Sequence, residues 1–397
     1  MLRSQHSCLK ITSFEDRLRL EDHSKLLFRQ RYNRVESKMK IITIIGARPQ
    51  FVKAAIVSHY IRQHNATSSI QIEERILHTG QHYDYNMSQV FFEQMDIPAP
   101  SWHLGCTGSV QEMRDAIIPI IQGQADYIMV YGDTNSTLAG ALAAEACQIP
   151  LIHIEAGLRS YNNAMVEEHN RIETDKRSMY LFCPTSTAVA NLAKEGLTQG
   201  VYHVGDVMYD ATLYFAQQAE QQSHLLEDLQ IASKAYYLAT IHRAETTDKP
   251  EQLANILRAF AQIDRPIILP LHPRTRKVIE ASEMLTGLVK EAHGLHIIES
   301  VSYMDMLVLE KHAAAILTDS GGVQKEAYFH RTPCITMRGE TEWTETVEAG
   351  WNTLVGTDTE RILQAVAHWA MPDTEISEYG TGKAAQTIID LLCQSEY

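Results

Sequence analysis

No stretch of this 397-residue chain approaches the roughly 20 consecutive apolar positions that a membrane span requires. A basic run is also missing, and a net formal charge of −14 argues against general nucleic-acid binding. The six cysteines (Cys8, Cys106, Cys147, Cys183, Cys334 and Cys393) show no CxxC and no paired spacing. That scatter suits a reducing cytosol in which thiols serve as small apolar fillers. Neither a Walker A loop nor a GxGxxG fingerprint is present. His78 and His82 have metal-like spacing, but the glycine in "HTGQH" reads as the exit from a strand, so no metal site is expected.

The first 38 residues carry nine Lys or Arg against five Asp or Glu and no apolar h-region, which excludes a secretory signal. Their acids argue against a transit peptide. "MKIITIIGARPQ" follows, where an α/β domain would naturally open with a strand. The expectation is therefore that Met39 is the true start, or that residues 1–38 are a tail the chemistry does not need.

What is present after Met39 is an alternation of short apolar runs and helical stretches, the pattern of parallel α/β layers. Strands are expected at Ile41–Ile45, Glu74–Thr79, Tyr127–Tyr131 and Leu151–Glu155, with weaker runs at Leu181–Cys183 and Val201–Val204. A second series runs through Tyr236–Ile241, Pro266–Pro270, Leu295–Ile298, Ala315–Leu317 and Cys334–Met337. Between them lies a helix and a polar connection. Two doubly wound sheets facing each other follow, and such sheets bind ligands beyond the carboxyl ends of their strands.

Several residues at those ends bear chemistry. "GARPQFVKAA" follows the first strand: Gly46 permits a tight turn, the next helix offers N–H groups to phosphate, and Arg48 and Lys53 add positive charge. In "YGDTNSTLAGALAA", Gly132 turns and Asp133 lands at the sheet edge, with Asn135 or Ser136 placed to cap the helix. Asp133 fits an early cap as well as a catalytic acid. Glu155 ends the apolar run "IPLIHIE" and would share a crevice with Asp133, where two carboxylates can divide acid and base roles. Glu167 and Glu168 fit the first turn of a helix, where negative charge suits the dipole, with Glu168 reading as no more than that. In the second half, His242 is a natural proton shuttle, beside Arg243, His272 and Arg274. Ser320, Gly321 and Gly322 make a small-residue turn into a helix, the strongest phosphate signal in the chain, with Glu326 one turn further on for ribose hydroxyls.

These motifs, with "HIEAGLRS", "EEHNR", "GDVMYDA", "IHRAE", "TDSGGVQKEA" and "MRGETEWTETVEAGWNTLVG" in order, resemble the non-hydrolysing UDP-N-acetylglucosamine 2-epimerase family, from about Met39 to the C-terminus. The resemblance implies the twin-Rossmann architecture called GT-B: a first domain over 39–205, a UDP-binding domain over 206–378, and a final helix at about 379–395 that packs back on the first. It implies Asp133, Glu155, Glu167 and His242 as catalytic. UDP or substrate would be held by Arg48, Lys53, Gln81, Arg243, His272, Ser320, Gly321, Gly322, Glu326 and Arg338. A cytoplasmic homodimer acting on a UDP-sugar, with neither cofactor nor metal, completes what the resemblance implies. One departure stands out: where the family usually has Pro before the paired glutamates, this chain has Val166, which bears on how Glu167 is placed. Some motifs, among them "TGQHYDYNMS" and "TEWTETVEAGWN", look closer to the branch acting on UDP-2,3-diacetamido-2,3-dideoxyglucuronate.

The chemistry implied is elimination and re-addition of UDP, because a C2 proton not adjacent to a carbonyl is very hard to abstract directly. It needs proton-handling groups on both faces of the sugar, cations for the departing diphosphate, and no water at C1. Which carboxylate is base and which is acid stays open. A GT-B glycosyltransferase, a nucleotide-sugar-binding protein without turnover, and a hydrolysing epimerase are the alternatives.

Overall fold

The computed structural model describes residues 38–81, 89–162 and 164–394. Residues 1–37, and the His82 of the histidine spacing, lie outside them. Among the described residues, thirteen parallel strands form two sheets. The first holds β1 (Lys38–Ile45), β2 (Gln71–His78), β3 (Trp102–His103), β4 (Tyr127–Tyr131), β5 (Leu151–Ile154), β6 (Tyr180–Cys183) and β7 (Val201–His203), in the order β3-β2-β1-β4-β5-β6-β7. The second holds β8 (Tyr237–Thr240), β9 (Ile267–Pro270), β10 (Leu295–Ile298), β11 (Ala315–Thr318), β12 (Cys334–Thr336) and β13 (Asn352–Leu354), in the order β10-β9-β8-β11-β12-β13. This is the α/β, GT-B architecture expected from the sequence. In each sheet the strand order reverses beside the first strand of the series, at β1/β4 and at β8/β11, which opens a crevice at the carboxyl ends.

Two strands were not anticipated, β3 and β13. Each is a sheet edge of two or three residues, too short to show a periodicity. β2 also begins three residues earlier than expected, because Gln71–Glu73 pair with Lys38–Lys40 although Gln71 and Glu73 are polar.

The interior strands are largely apolar because helices cover both faces. β5 and β8 are buried at every position, and β1 is buried continuously from Ile41 onward. One core lies on each face of each sheet. The largest gathers β1, β5 and β6 with α1 (Arg48–Thr67), and continues through Tyr303, Trp343 and Trp351 from the second half of the chain. Four further helices matter for the site: α2 (Asn135–Cys147), α3 (Val166–Asp175), α4 (Val207–Gln222) and α5 (Gly321–Phe329). The last helix, α6 (Ala384–Gln394), packs on α1 and α4 with Ile388, Ile389 and Leu392 buried.

The chain passes between the sheets twice, side by side. Asp206 N–H donates to the Tyr379 carbonyl at 3.0 Å. Gly205 stands at φ +89°, and a Cβ there would come within 2.8 Å of that same carbonyl, so only glycine allows the two passes to lie together.

Candidate active site

Glu155 follows β5 directly, and its backbone is unusual. It is a non-glycine residue at φ +69°, held there because its own N–H and that of Ala156 both donate to the Phe182 carbonyl, at 3.1 and 3.0 Å. Left-handed backbone in a residue with a Cβ costs about 1–3 kcal/mol and persists where the surroundings over-determine it, typically at a functional site. The strained turn aims the carboxylate into the crevice between the sheets. There Lys53 Nζ of α1 meets Oε1 at 2.5 Å and Lys325 Nζ of α5 meets Oε2 at 2.8 Å. Burial would raise this carboxyl, but the Lys325 and Lys53 cations outweigh it and hold it down at about 2.

Asp133, one strand away, is pinned differently. Arg171 of α3 donates to its Oδ2 from Nη2 at 2.7 Å and from Nε at 3.0 Å. The same guanidinium reaches Glu168 at 2.7 Å and Glu342, from the second half of the chain, at 3.6 Å. Burial pushes Arg171 down, but Asp133, Glu342 and Glu168 together hold it above the ordinary arginine value. Glu168 is therefore more than a helix-start charge. It is buried and also accepts the N–H groups of Ser160 and Tyr161, fixing the loop that leads into α3. The expected cap is corrected as well: Thr134, not Asn135 or Ser136, caps α2 by accepting from Thr137 N–H. Ser136 instead donates to the Gln81 side chain at 2.7 Å.

Beneath Asp133 lies a support that sequence reading passed over. His153, fully buried in β5, sits between the Asp175 carboxylate and the Gly132 carbonyl, 2.7 Å from each. Asp175 also pairs with Arg159 at 2.8 Å and accepts the N–H of Gly157, so the Gly132–Asp133 turn and the loop after Glu155 rest on one buried pair. Replacing His153 by Phe is expected to cost about 3–5 kcal/mol, because Asp175 and the Gly132 carbonyl lose their partner inside the core. Urea denaturation of the H153F variant checks this, and a loss under about 1 kcal/mol would show that the pair is not needed.

The two helix N-termini proposed for phosphate differ. At α1 the N–H groups of Gly46 and Ala47 are already taken by Gln50 Oε1, at 2.8 and 3.0 Å. Gly46 is required there for space, since a Cβ would meet Thr79 Oγ1 and Ser136 Oγ. At α5 the N-cap Ser320 makes no side-chain cap bond, leaving the first turn facing the crevice. Around Gly321 stand Arg243, Arg338 and Glu342, with guanidinium nitrogens 3.4 and 3.8 Å from where its Cβ would lie. Glu326, a turn further on, is raised by burial against the pull of Arg48 and Lys325. Arg48 caps the opposite lip, 5.3 Å over the Phe91 ring.

His242 is half-exposed at the same mouth. Asp319, buried at the end of β11, accepts the N–H groups of His242 and Arg243 at 3.0 Å and lies 3.6 Å from the His242 ring. Burial, with Arg243, Arg48 and Arg274 nearby, lowers His242 despite Asp319, so the ring is neutral at pH 7 and can accept a proton. His272 lies 5.6 Å away, lowered to about 4 by burial and by His242, and its Nδ1 accepts from Arg274 N–H as the cap of the next helix.

Glu167 is the one expected catalytic residue without a hydrogen bond or ion pair among the described residues. It sits half-exposed in the first turn of α3, next to Val166, which is 60% exposed where proline would have fixed the entry. No group of His, Cys, Asp or Glu suited to a metal ion exists among the described residues, and no described helix is long and apolar enough to cross a membrane. Lys325, Asp206, Arg171 and Asp319 were missed as site residues. Each carries a charge inside or beside a motif already quoted, which is the only signal the sequence offers for them.

Residues 64–393 match the family profile described as UDP-N-acetylglucosamine 2-epimerase. The chain is 46% identical to a UDP-N-acetylglucosamine 2-epimerase homolog of Methanococcus maripaludis, over 89% of its own length and 99% of the relative's. It is 45% identical to the UDP-2,3-diacetamido-2,3-dideoxy-D-glucuronate 2-epimerase of Pseudomonas aeruginosa, over 90% and 100%. Among solved structures, the UDP-GlcNAc 2-epimerase of Methanocaldococcus jannaschii, in complex with UDP-GlcNAc and UDP, is similar at a TM-score of 0.78 and 38% identity, over 90% of this chain and 100% of that one.

Proposed function

Because the chain belongs to the UDP-N-acetylglucosamine 2-epimerase family, we propose that its crevice interconverts UDP-N-acetylglucosamine and UDP-N-acetylmannosamine by elimination and re-addition of UDP. One observation carries the assignment to residues. A strained Glu155 stands at a strand tip with Lys53 of α1 and Lys325 of α5 on its two oxygens, facing an uncapped α5 N-terminus flanked by two arginines.

In the forward direction a base takes the C2 proton, its electrons form the C1–C2 double bond, and the C1–O bond to UDP breaks. The products are 2-acetamidoglucal and the UDP anion. Return of a proton to the opposite face of C2 and attack of the UDP oxygen at C1 restore a UDP-sugar, so atoms and charge balance without a cofactor. The α5 turn (Ser320, Gly321, Gly322), Arg243 and Arg338 hold the diphosphate as its charge grows, with Arg48 and Lys53 on the opposite wall and Glu326 on the ribose. Glu155, Asp133 and the neutral His242 handle protons at the sugar, with Glu167 reaching the same space from α3. Gln81 and His272 line its outer edge. Site closure matters because water at C1 would trap the intermediate as free sugar. A cytoplasmic homodimer supplying a precursor for surface polysaccharide belongs to the same reading.

Proton NMR of UDP-N-acetylglucosamine with the protein in D2O tests it. Deuterium at C2, growth of the manno isomer and an intact UDP linkage are expected. Release of free sugar would instead mark a hydrolysing enzyme. A second substrate class has a specific observation behind it, the 45% identity to the diacetamido-glucuronate enzyme across the whole of that protein. A spectrum unchanged for the first sugar but exchanged for the second would reassign the substrate and keep the chemistry.

A further inference from the structure

Lys325 is assigned no step in the reading above, yet it is among the most confined cations in the molecule. It lies one turn into α5, buried, and its Nζ is 2.8 Å from Glu155 Oε2 and 2.7 Å from Asp206 Oδ2. Its ammonium stands 4.1 Å from the centroid of the Trp343 ring, which closes a third side. The three partners come from three places. Glu155 belongs to the first sheet, Trp343 to the second half of the chain, and Asp206 to the pass that joins the two sheets. Asp206 is itself fixed by accepting Met208 N–H at 2.7 Å and by donating its own N–H to Tyr379.

Lys325 is three residues past Gly322, so one short helix carries at its N-terminus the turn facing the diphosphate and, along its side, the cation that grips Glu155. A rigid helix with both features fixes the distance from the leaving group at C1 to the carboxylate at C2. Lys53 holds the other oxygen of Glu155, but from the first sheet, the sheet that also bears Glu155; it cannot report where the second sheet stands.

We propose that Lys325 is a positioning residue for the epimerisation, bridging the crevice to hold Glu155 in register with the diphosphate bound at the N-terminus of its own helix. This rests on the reading above. Its contribution is orientation, not basicity, and the two make opposite forecasts. The charged groups around Glu155 are Lys53 on α1, Lys325 and Glu326 on α5, and Asp206 before α4, with Arg48 acting on Glu326. Removing the Lys325 charge leaves Lys53 alone against burial and makes Glu155 a stronger base. If basicity governed the rate, the variant would match or exceed wild type at neutral pH. If orientation governs it, the rate falls.

The test is C2 deuterium exchange in D2O for wild type, Lys325→Met, Lys325→Gln and Lys325→Arg, measured against pH alongside UDP affinity and KM. For K325M and K325Q the expected result is a kcat at least about 10-fold lower, UDP affinity within about threefold of wild type, and an acid limb raised by about one pH unit or more. K325R, which keeps the charge, should recover part of kcat and return the limb toward wild type. K325Q stands in if K325M does not fold. An active wild type whose charge-removing variants keep kcat overturns the inference alone. Equal loss in K325R and K325Q, with an unmoved acid limb, also overturns it, since that marks a merely structural lysine. A folded wild type inert on both UDP-sugars overturns the reading and the inference together.

Discussion

Glu155→Gln is expected to lower C2 exchange by about 10³-fold or more while leaving UDP affinity within a few-fold of wild type. The substitution keeps the shape of the side chain at a backbone position of φ +69°, so the turn after β5 survives. What is lost is an anion that two buried cations surround, and with it the capacity to hold a proton. Lys325 keeps Asp206 at 2.7 Å, so only Lys53 is left without its short contact. A stability loss of about 3 kcal/mol accompanies the change, at the lower end for a broken buried pair. Isothermal titration with UDP separates the two effects. Retained UDP binding with lost exchange assigns Glu155 to the chemistry, exchange above a tenth of wild type removes it from the proton-handling set, and loss of UDP binding too would make it structural.

Arg171→Met carries the second large effect, and its size changes with pH. The methionine fills much of the arginine stem's space but strands Asp133, Glu168 and Glu342 around a missing cation. At pH 7 the expected cost is about 3–5 kcal/mol of stability, with exchange falling because Asp133 loses its fixed direction. In the wild type, burial pushes Glu168 up, but the N–H groups of Ser160 and Tyr161 and the Arg171 cation hold it below the usual carboxylate range. Its contribution is therefore complete above the unfolded value of about 4.3 and fades as pH falls through the lower folded value. In the variant burial acts on the same carboxyl without the Arg171 cation to oppose it, so its folded value rises and acidification relieves part of the cost. The stability gap between variant and wild type should narrow from pH 7 to pH 5. Urea midpoints at both values decide; a constant gap would mean that lost packing, not stranded charge, sets the cost.

Much of this site was legible because doubly wound sheets deliver residues to one place by a rule that depends only on strand ends. Asp133, Glu155, His242 and the Ser320–Gly322 turn each follow an interior strand whose apolar run is unmistakable, and locating the strand located the residue. β3 and β13 escaped because an edge strand of two or three residues has no period. The cross-links escaped for another reason. Lys325 and Glu155 are 170 positions apart, and no local pattern relates them. Arg171 lay in a motif already noted, yet its partner Asp133 lies 38 positions away and Glu342 comes across the crevice from the second half of the chain. The occupied α1 terminus depended on one rotamer of Gln50. The strain at Glu155 could not be read either, since a positive φ is announced by glycine and here the residue has a Cβ.

The last helix has a consequence for how the chain is made. α6 lays Ile388, Ile389 and Leu392 against α1, which begins at Arg48. Ribosomes release a polypeptide from its N-terminus, so the first sheet emerges and pairs its strands with one apolar flank open until α6, more than 300 residues after α1, has been translated. During that interval the uncovered flank of α1 is open to mispairing with other nascent chains, and α6 acts as the seal that ends it.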